Sequence, residues 1–272
     1  MSTLEAIILA LVQGVAAFLP VSALAHRTVI GVFLGFEQPT VALELALEAG
    51  CLLAVILCFA MDWLQIVGNA FGLQFGRDPE LRRMPRLLWM LIAASAPLAL
   101  TGYWLMDWAR TSLGGPFAVG ILLIVIALAM GWADGASRRQ KTIDHLGFAD
   151  ALLIGLVQSL AVLPGASRVA VTLTAGTLLN FDRAAAARIS YLLATPVMAG
   201  RTWLALRRLL DEGGLTEGET LTMAVATLIT ALAGCATIAF FTEYLRQGTL
   251  RPFARYRLAF GIIVIALALL LR

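Results

Sequence analysis

The sequence predicts an all-α integral membrane protein, an inverted-topology repeat of six transmembrane helices plus two broken re-entrant helix pairs. Three observations predict it. The 272 residues are 60% hydrophobic and only 14% charged, against about 45–50% and about 25% in soluble domains, and the mean hydropathy is +0.88. Six apolar stretches approach the roughly 20 residues that a membrane span needs. Two further apolar stretches are interrupted by proline, and each precedes three of the spans. This composition excludes a disordered chain, a nucleic-acid-binding domain and an ordinary cytosolic enzyme. No nucleic-acid partner is expected.

The first element, residues 4–34, is broken at Leu19-Pro20. Proline removes a backbone donor and disfavours helix in the residue before it, so the stretch reads as a short helix, a bend and a second short helix. Spans follow at about 41–61, 86–106 and 116–133. Residues 134–147 form a charged linker. Residues 148–180 are broken at Leu163-Pro164-Gly165, and spans follow at about 185–206, 220–241 and 256–271. The halves resemble each other: Leu11-Val12-Gln13-Gly14 leads to Leu19-Pro20, as Leu156-Val157-Gln158-Ser159 leads to Leu163-Pro164. The chain therefore divides into repeat 1 (about 1–133), the linker (about 134–147) and repeat 2 (about 148–272) within a single membrane domain. Three spans per repeat invert the second copy relative to the first if each broken segment re-enters from its own side, an architecture known from transporters. Two ordinary proline-kinked helices are the plainer alternative. Non-helical backbone is not tolerated against lipid, so each bend must be buried in protein or line a wet cavity.

Loop charge sets orientation. One side receives Arg77, Arg82, Arg83, Arg86, Arg138, Arg139, Lys141, Arg183, Arg246, Arg251, Arg255 and Arg257; the other receives Arg27, Arg110, Arg207, Arg208 and Arg272. The richer side is cytoplasmic by the positive-inside rule. Both termini and the mouth of the first broken segment then face outward, across a bacterial inner membrane. The net charge of +3 needs no acidic partner beyond that rule. Cys51, Cys58 and Cys235 lie in apolar segments without metal-ligand spacing and read as buried thiols. No basic stretch precedes the first apolar run, so no cleavable signal is expected.

Ionisable groups inside the membrane are costly and point to function. Arg188 and Arg201 sit near the ends of one span, where snorkelling explains them as well as a site does. Arg168 follows the second break in Pro164-Gly165-Ala166-Ser167-Arg168, where a new helix starts. Free N–H groups at a helix start, a guanidinium, the Ser167 hydroxyl and the close backbone approach allowed by Gly165 suit a phosphate. A structural salt bridge from Arg168 to Glu44 or Glu48 is the alternative. His26 is the only histidine beside a buried bend, and its imidazole can act as base, acid or nucleophile. Glu44 and Glu48 share a helix face and are candidates to hold a cation, shuttle a proton or pair with Arg168. Gln13 and Gln158 occupy matching points of the two repeats, to hydrogen-bond a ligand or to bridge the broken backbone.

With these residues in view, the chain resembles the undecaprenyl-diphosphate phosphatase family of bacterial inner membranes, which is associated with bacitracin resistance. The first break, Gln13-Gly14-Val15-Ala16-Ala17-Phe18-Leu19-Pro20-Val21-Ser22-Ala23-Leu24-Ala25-His26, resembles Gln/Glu-Gly-x-x-Glu-Phe-Leu-Pro-Val-Ser-Ser-x-Gly-His. The second, Pro164-Gly165-Ala166-Ser167-Arg168-Val169-Ala170-Val171-Thr172, resembles Pro-Gly-x-Ser-Arg-Ser-Gly-x-Thr. Supporting stretches are Glu44 to Gly50, Ala187 to Leu193 with Pro196, and Tyr256-Arg257-Leu258 with Gly261.

The resemblance implies hydrolysis of a long-chain isoprenyl diphosphate to the monophosphate, recycling the cell-wall lipid carrier. It also implies a divalent cation (Mg or Ca), a lipid diphosphate and the bilayer as partners, and a site opening outward; the sequence leaves a homodimer open. His26, Arg168 and Ser22 are the expected catalytic residues. Gln13, Ser167, Gly165, Thr172, Glu44, Glu48 and Gln158 are expected to bind substrate, with Glu44 and Glu48 the candidates for the metal. The chain departs from the pattern at Ala17, Ala23, Ala25 and Val169-Ala170. A carboxylate and a hydroxyl are thereby lost while the arginine stays. Two other functions compete with hydrolysis on that account: a polyprenyl-phosphate binder or translocase, and an inactive paralogue.

Overall fold

The computed structural model describes residues 2–73, 76–215 and 218–270, and its described residues form helices and connecting turns with no named strand. In order the helices are α1 (Thr3–Ala16), α2 (Ala23–Leu34), α3 (Val41–Cys58), α4 (Ala60–Ala70), α5 (Pro79–Arg82), α6 (Leu87–Leu113), α7 (Pro116–Ala136), α8 (Phe148–Gln158), α9 (Arg168–Leu178), α10 (Arg183–Asp211), α11 (Thr220–Gln247) and α12 (Arg251–Leu270). Five of them, α3, α6, α7, α11 and α12, are long and apolar enough to cross a membrane. The sixth expected span is α10. Its 29 residues give it ample length, but with Arg201 and several polar residues in its apolar stretch it is not among the helices apolar enough to qualify. Arg272, the end of the last expected span and the side chain of Arg110 lie outside the described residues.

The two proline-broken segments are built as expected. At 1.5 Å per residue, the 14 residues of α1, the 12 of α2 and the 11 each of α8 and α9 rise only about 16–21 Å, short of the ~30 Å hydrocarbon core. Both breaks end on a serine forced into positive φ, Ser22 at 78° and Ser167 at 68°. Each serine caps the next helix by accepting a hydrogen bond from the backbone N–H three residues on: Ala25 N at 3.5 Å and Ala170 N at 3.4 Å. Such a backbone costs roughly 1–3 kcal/mol for a residue with a side chain and persists only where surroundings hold it.

Packing repeats under a two-fold exchange of the halves. α1 lies on α11 as α8 lies on α6, α1 meets α2 as α8 meets α9, and α3–α10 and α7–α12 pair across the middle. Close crossings rest on glycine, the usual device where lipid offers no hydrophobic drive between helices. A Cβ on Gly120 would stand 3.0 Å from Gly261 O, and one on Gly261 would stand 2.9 Å from Gly120 O. Gly14 packs on Thr230 O and Gly50 on Thr227 O in the same way.

Ion pairs tie together the arginine-rich end of the bundle. The buried Asp134 accepts from Arg183 Nε at 2.5 Å and from Leu250 N at 3.2 Å. Arg188 joins Asp62 at 2.8 Å, Asp78 at 2.6 Å and Glu80 at 3.6 Å. Arg188 is therefore a junction between α10, α4 and α5 rather than a snorkelling end. Burial pushes the Asp78 carboxyl up, but its bonds to Arg188 and to the Leu81 and Glu80 amides outweigh that and hold it below the usual carboxylate range.

Two residues counted as loop charges from sequence are corrected. Arg257 is wholly buried, and Arg27 is part-buried with its Nε inaccessible. Both lie within helices, α12 and α2, whose other residues are mainly apolar, and hydropathy alone cannot tell a helix end from a charge drawn inward. The remaining count, eleven against four, keeps its sign.

Gly50→Leu will test the glycine crossings. Its Cβ would sit 2.6 Å from both Thr227 O and Thr230 Cβ, wedging α3 from α11 at a cost of about 1–3 kcal/mol or more. The expected result is a lowered unfolding temperature in detergent, while Gly31→Leu, in open space, leaves it unchanged.

Candidate functional site

The two breaks meet at one side chain. Arg257, from α12, donates through Nη1 to Pro20 O at 3.2 Å and through Nη2 to Gly165 O at 3.0 Å and Ala166 O at 3.1 Å. Ser22 and Ser167 each lie within two residues of these carbonyls, so the starts of α2 and α9 are held on one guanidinium. Arg257 makes no ion pair among the described residues, so it adds a buried, uncompensated positive charge. Tyr191, buried on α10, supports the first break by donating to Phe18 O at 2.8 Å. Gly165 adopts φ +97°, and a Cβ there would meet Val119 O at 2.9 Å, so a larger residue would be both strained and crowded.

Arg168 opens α9 and its guanidinium is held at one nitrogen. Nη1 donates to Ser190 O at 2.9 Å. Thr172 donates its hydroxyl to Arg168 O at 2.8 Å and must then accept from the Ser190 hydroxyl at 2.6 Å. Arg168 Nη2 is inaccessible and has no hydrogen-bond partner. Arg168 makes no ion pair with Glu44 or Glu48, so the structural salt bridge is not formed. Thr172, expected to contact substrate, is 1% exposed and stands behind Arg168 as a positioning residue.

His26 has both ring nitrogens engaged. Nδ1 lies 2.8 Å from Ser22 O; a carbonyl only accepts, so Nδ1 carries the proton. In the neutral ring Nε2 is then the lone pair, and it accepts from Tyr256 O–H at 2.6 Å. The ring stacks on Tyr256 and on Phe260, with centroids at 5.7 and 4.3 Å. The charged group whose field His26 feels is Arg257.

Glu44, Glu48 and Cys51 follow one another on α3. Glu48, 8% exposed, is ion-paired to Arg201 of α10, whose side chain stays half exposed. Gln13 Nε2 donates to Cys51 Sγ at 3.6 Å, and Gln13 Oε1 has no partner. Arg27 lies in the field of Glu48, Arg201, Glu44 and Cys51, and Arg168 in the field of Arg201, Cys51 and Glu48. The structure thus pairs Glu48 with Arg201 and Gln13 with Cys51 along α3, and Arg27 and Arg168 both lie in the field of that Glu48–Arg201 pair. His26, Ser22, Ser167 and Gly165 gather around Arg257 instead, joined to that cluster through the start of α9. Gln158 is wholly buried with both amide atoms unpartnered; it does not bridge the broken backbone, and no recorded contact brings it to Arg168.

The donors do not make a cage for a divalent cation. Among the described residues no three His, Cys, Asp or Glu side chains stand together in a metal-holding group, and the Glu48 carboxylate already carries a guanidinium. Of the residues the sequence did not select for the site, Arg257, Arg27 and Arg201 all carried the same signal, an arginine within a membrane-embedded helix. Tyr256 and Ser190 lie in stretches that support the family resemblance, while nothing in the local sequence of Cys51 sets it apart from a packing residue.

Comparison with known proteins adds a family. A profile described as "Bacitracin resistance protein BacA" matches residues 6–263. An undecaprenyl-diphosphatase of Chlorobium phaeobacteroides is 36% identical over 275 residues, 98% of this chain and 97% of that protein. Another from Moorella thermoacetica is 34% identical over 267 residues, 98% of each, and one from Rubrobacter xylanophilus is 37% identical over 270 residues, again 98% of each.

The Thr172–Ser190 link beside Arg168 is testable with Thr172→Val, which keeps the shape and removes the hydroxyl. The Ser190 O–H is left buried without an acceptor, at a cost of about 1–3 kcal/mol, read as a lowered unfolding midpoint in detergent.

Proposed function

The chain belongs to the bacitracin resistance protein BacA family, and from that premise we propose that it is a membrane phosphatase. It hydrolyses undecaprenyl diphosphate to the monophosphate and phosphate, returning the lipid carrier to cell-wall synthesis. The observation that carries the reading at the level of residues is Arg168: its Nη1 is held by Ser190 O, yet Nη2 is buried and unpaired. A buried guanidinium donor without an acceptor is a desolvation cost of about 1–3 kcal/mol or more, which a phosphate oxygen offsets.

Arg168 holds the terminal phosphoryl group and stabilises the charge that gathers on its oxygens during transfer. A water oxygen attacks the terminal phosphorus while the bond from that phosphorus to the bridging oxygen breaks. The bridging oxygen keeps the electron pair and leaves on the isoprenyl monophosphate. The proton from water goes to His26 Nε2, the one ring lone pair left by the Nδ1–H bond to Ser22 O; the attacking water takes the place of the Tyr256 hydroxyl there. Ser22 accepts from Ala25 N as the cap of α2 and keeps its own O–H to donate to substrate. Ala17 and Ala23 contribute neither a carboxylate nor a hydroxyl, so these steps fall to His26, Ser22 and the arginines. No step is routed through a cation.

The positive-inside rule supports placing the arginine-rich end, with its Arg188 and Asp134 junctions, in the cytoplasm, and the mouth of the first break on the periplasmic side of a bacterial inner membrane.

The test is phosphate release from undecaprenyl diphosphate by the purified protein. Wild type releases phosphate and Arg168→Ala lowers turnover about 100-fold or more. Equal silence of both removes the reading. Movement of a polyprenyl phosphate across liposomes by such a silent protein would put a translocase in its place.

A further inference from the structure

Arg201 is ion-paired to Glu48, Arg27 lies in the field of Glu48, Arg201 and Glu44, and Arg168 in the field of Arg201 and Glu48, inside a largely apolar bundle. The neighbouring polar side chain, Gln13, is neutral. The cluster therefore carries one more positive than negative charge, and Arg257 adds another beside it without a counter-ion. Two of the donors, Arg27 Nε and Arg168 Nη2, are inaccessible and without a hydrogen-bond partner among the described residues. A divalent cation brought into this cluster would find one carboxylate already neutralised by Arg201 and three guanidiniums repelling it. A diphosphate would find the opposite: several forked donors and an excess of positive charge.

We propose that Arg27 and Arg201 act with Arg168 as a guanidinium clamp that binds the substrate diphosphate in place of a divalent cation. Arg201 exchanges its bond to Glu48 for one to a phosphate oxygen, and Arg27 supplies its unpaired Nε. This deepens the phosphatase reading and rests on the same site, but it is a statement about binding that stands or falls separately from hydrolysis.

The separating experiment is equilibrium binding of farnesyl diphosphate, a soluble isoprenyl diphosphate, to the purified full-length protein in detergent, in EDTA and in excess Mg²⁺. The clamp gives affinities in the two conditions within about threefold of each other. Arg27→Met and Arg201→Gln each weaken binding in EDTA about tenfold, the loss expected for one charge-assisted hydrogen bond, and Mg²⁺ does not restore it. Arg201 is half exposed, so its variant keeps the fold even where Arg27→Met does not, and unfolding temperatures report which variants are intact. Glu48→Gln decides the sign. Freeing Arg201 from its carboxylate tightens binding or leaves it unchanged, whereas removing a metal ligand would weaken binding only when Mg²⁺ is present. Binding that EDTA abolishes and Mg²⁺ restores overturns the clamp, as does wild-type affinity in an intact Arg201→Gln protein. A protein that binds in EDTA but releases no phosphate keeps the clamp and loses the phosphatase reading; one that hydrolyses but binds only with Mg²⁺ does the reverse.

Discussion

The constraint on which the rest of the structure depends is the need to satisfy broken backbone away from water. Two helices are interrupted inside the bundle, and each interruption exposes carbonyls that no helix pairs. Unpaired, each would cost several kcal/mol in a hydrocarbon setting. One residue resolves three of them at once. Arg257 reaches Pro20 O from the first break and Gly165 O and Ala166 O from the second. Because one planar guanidinium serves both, the two breaks cannot move independently. The positive-φ serines that follow, Ser22 and Ser167, are strained conformations that the same bonds help hold. The fold and the site thus share a cause. The starts of α2 and α9 are brought together because their carbonyls need the same donor.

That arrangement also explains where charge is spent. At the arginine-rich end every buried charge is matched: Asp134 faces Arg183, and Arg188 faces Asp62, Asp78 and Glu80. These junctions tie loops to helix ends and have the geometry of structure. Around the breaks the matching stops. Arg257 has carbonyls but no carboxylate, Arg168 has one carbonyl and a free Nη2, and Arg27 leaves Nε unpaired. Charge is balanced at one end of the bundle and left unbalanced in the middle, where an anion would complete it.

Much of this was legible in the sequence, for a reason that differs from element to element. The breaks at Leu19-Pro20 and Leu163-Pro164-Gly165 were legible because proline and glycine act locally. The long apolar helices were legible because bilayer thickness sets a length. α10 runs from Arg183 to Asp211, past the expected 185–206, because Arg207 and Arg208 favour helix and hydropathy does not see that. Arg257 was misplaced because a charge near the start of an apolar run reads as a loop residue unless its partners are known, and those partners lie 92 and 237 residues away in sequence. The pairing of Glu48 with Arg201 spans 153 residues and has no local signature. Thr172 was named from the motif and Ser190 lies in a matching stretch, but the bond between their hydroxyls, 18 residues apart, has no local signature.

The substitutions at Ala17 and Ala23 gain a different meaning in this setting. Read as motif losses, they remove an acid and a hydroxyl and leave chemistry short of parts. Read with the packing, the absence of a carboxylate at 17 belongs with a neutral Gln13, a Glu48 already neutralised by Arg201, and an Arg27 on the neighbouring helix. Each of these shifts the interior in the positive direction. A buried excess of positive charge is costly without an anion, because desolvation of a guanidinium is not offset by backbone carbonyls alone. A diphosphate bound there would return that cost. Val32, Phe33 and Leu34 of α2 are exposed and would suit an apolar tail, but contact with a tail cannot distinguish a diphosphate from an alcohol. That discrimination rests on the arginines, whose number around two carboxylates sets how much negative charge the site is built to receive.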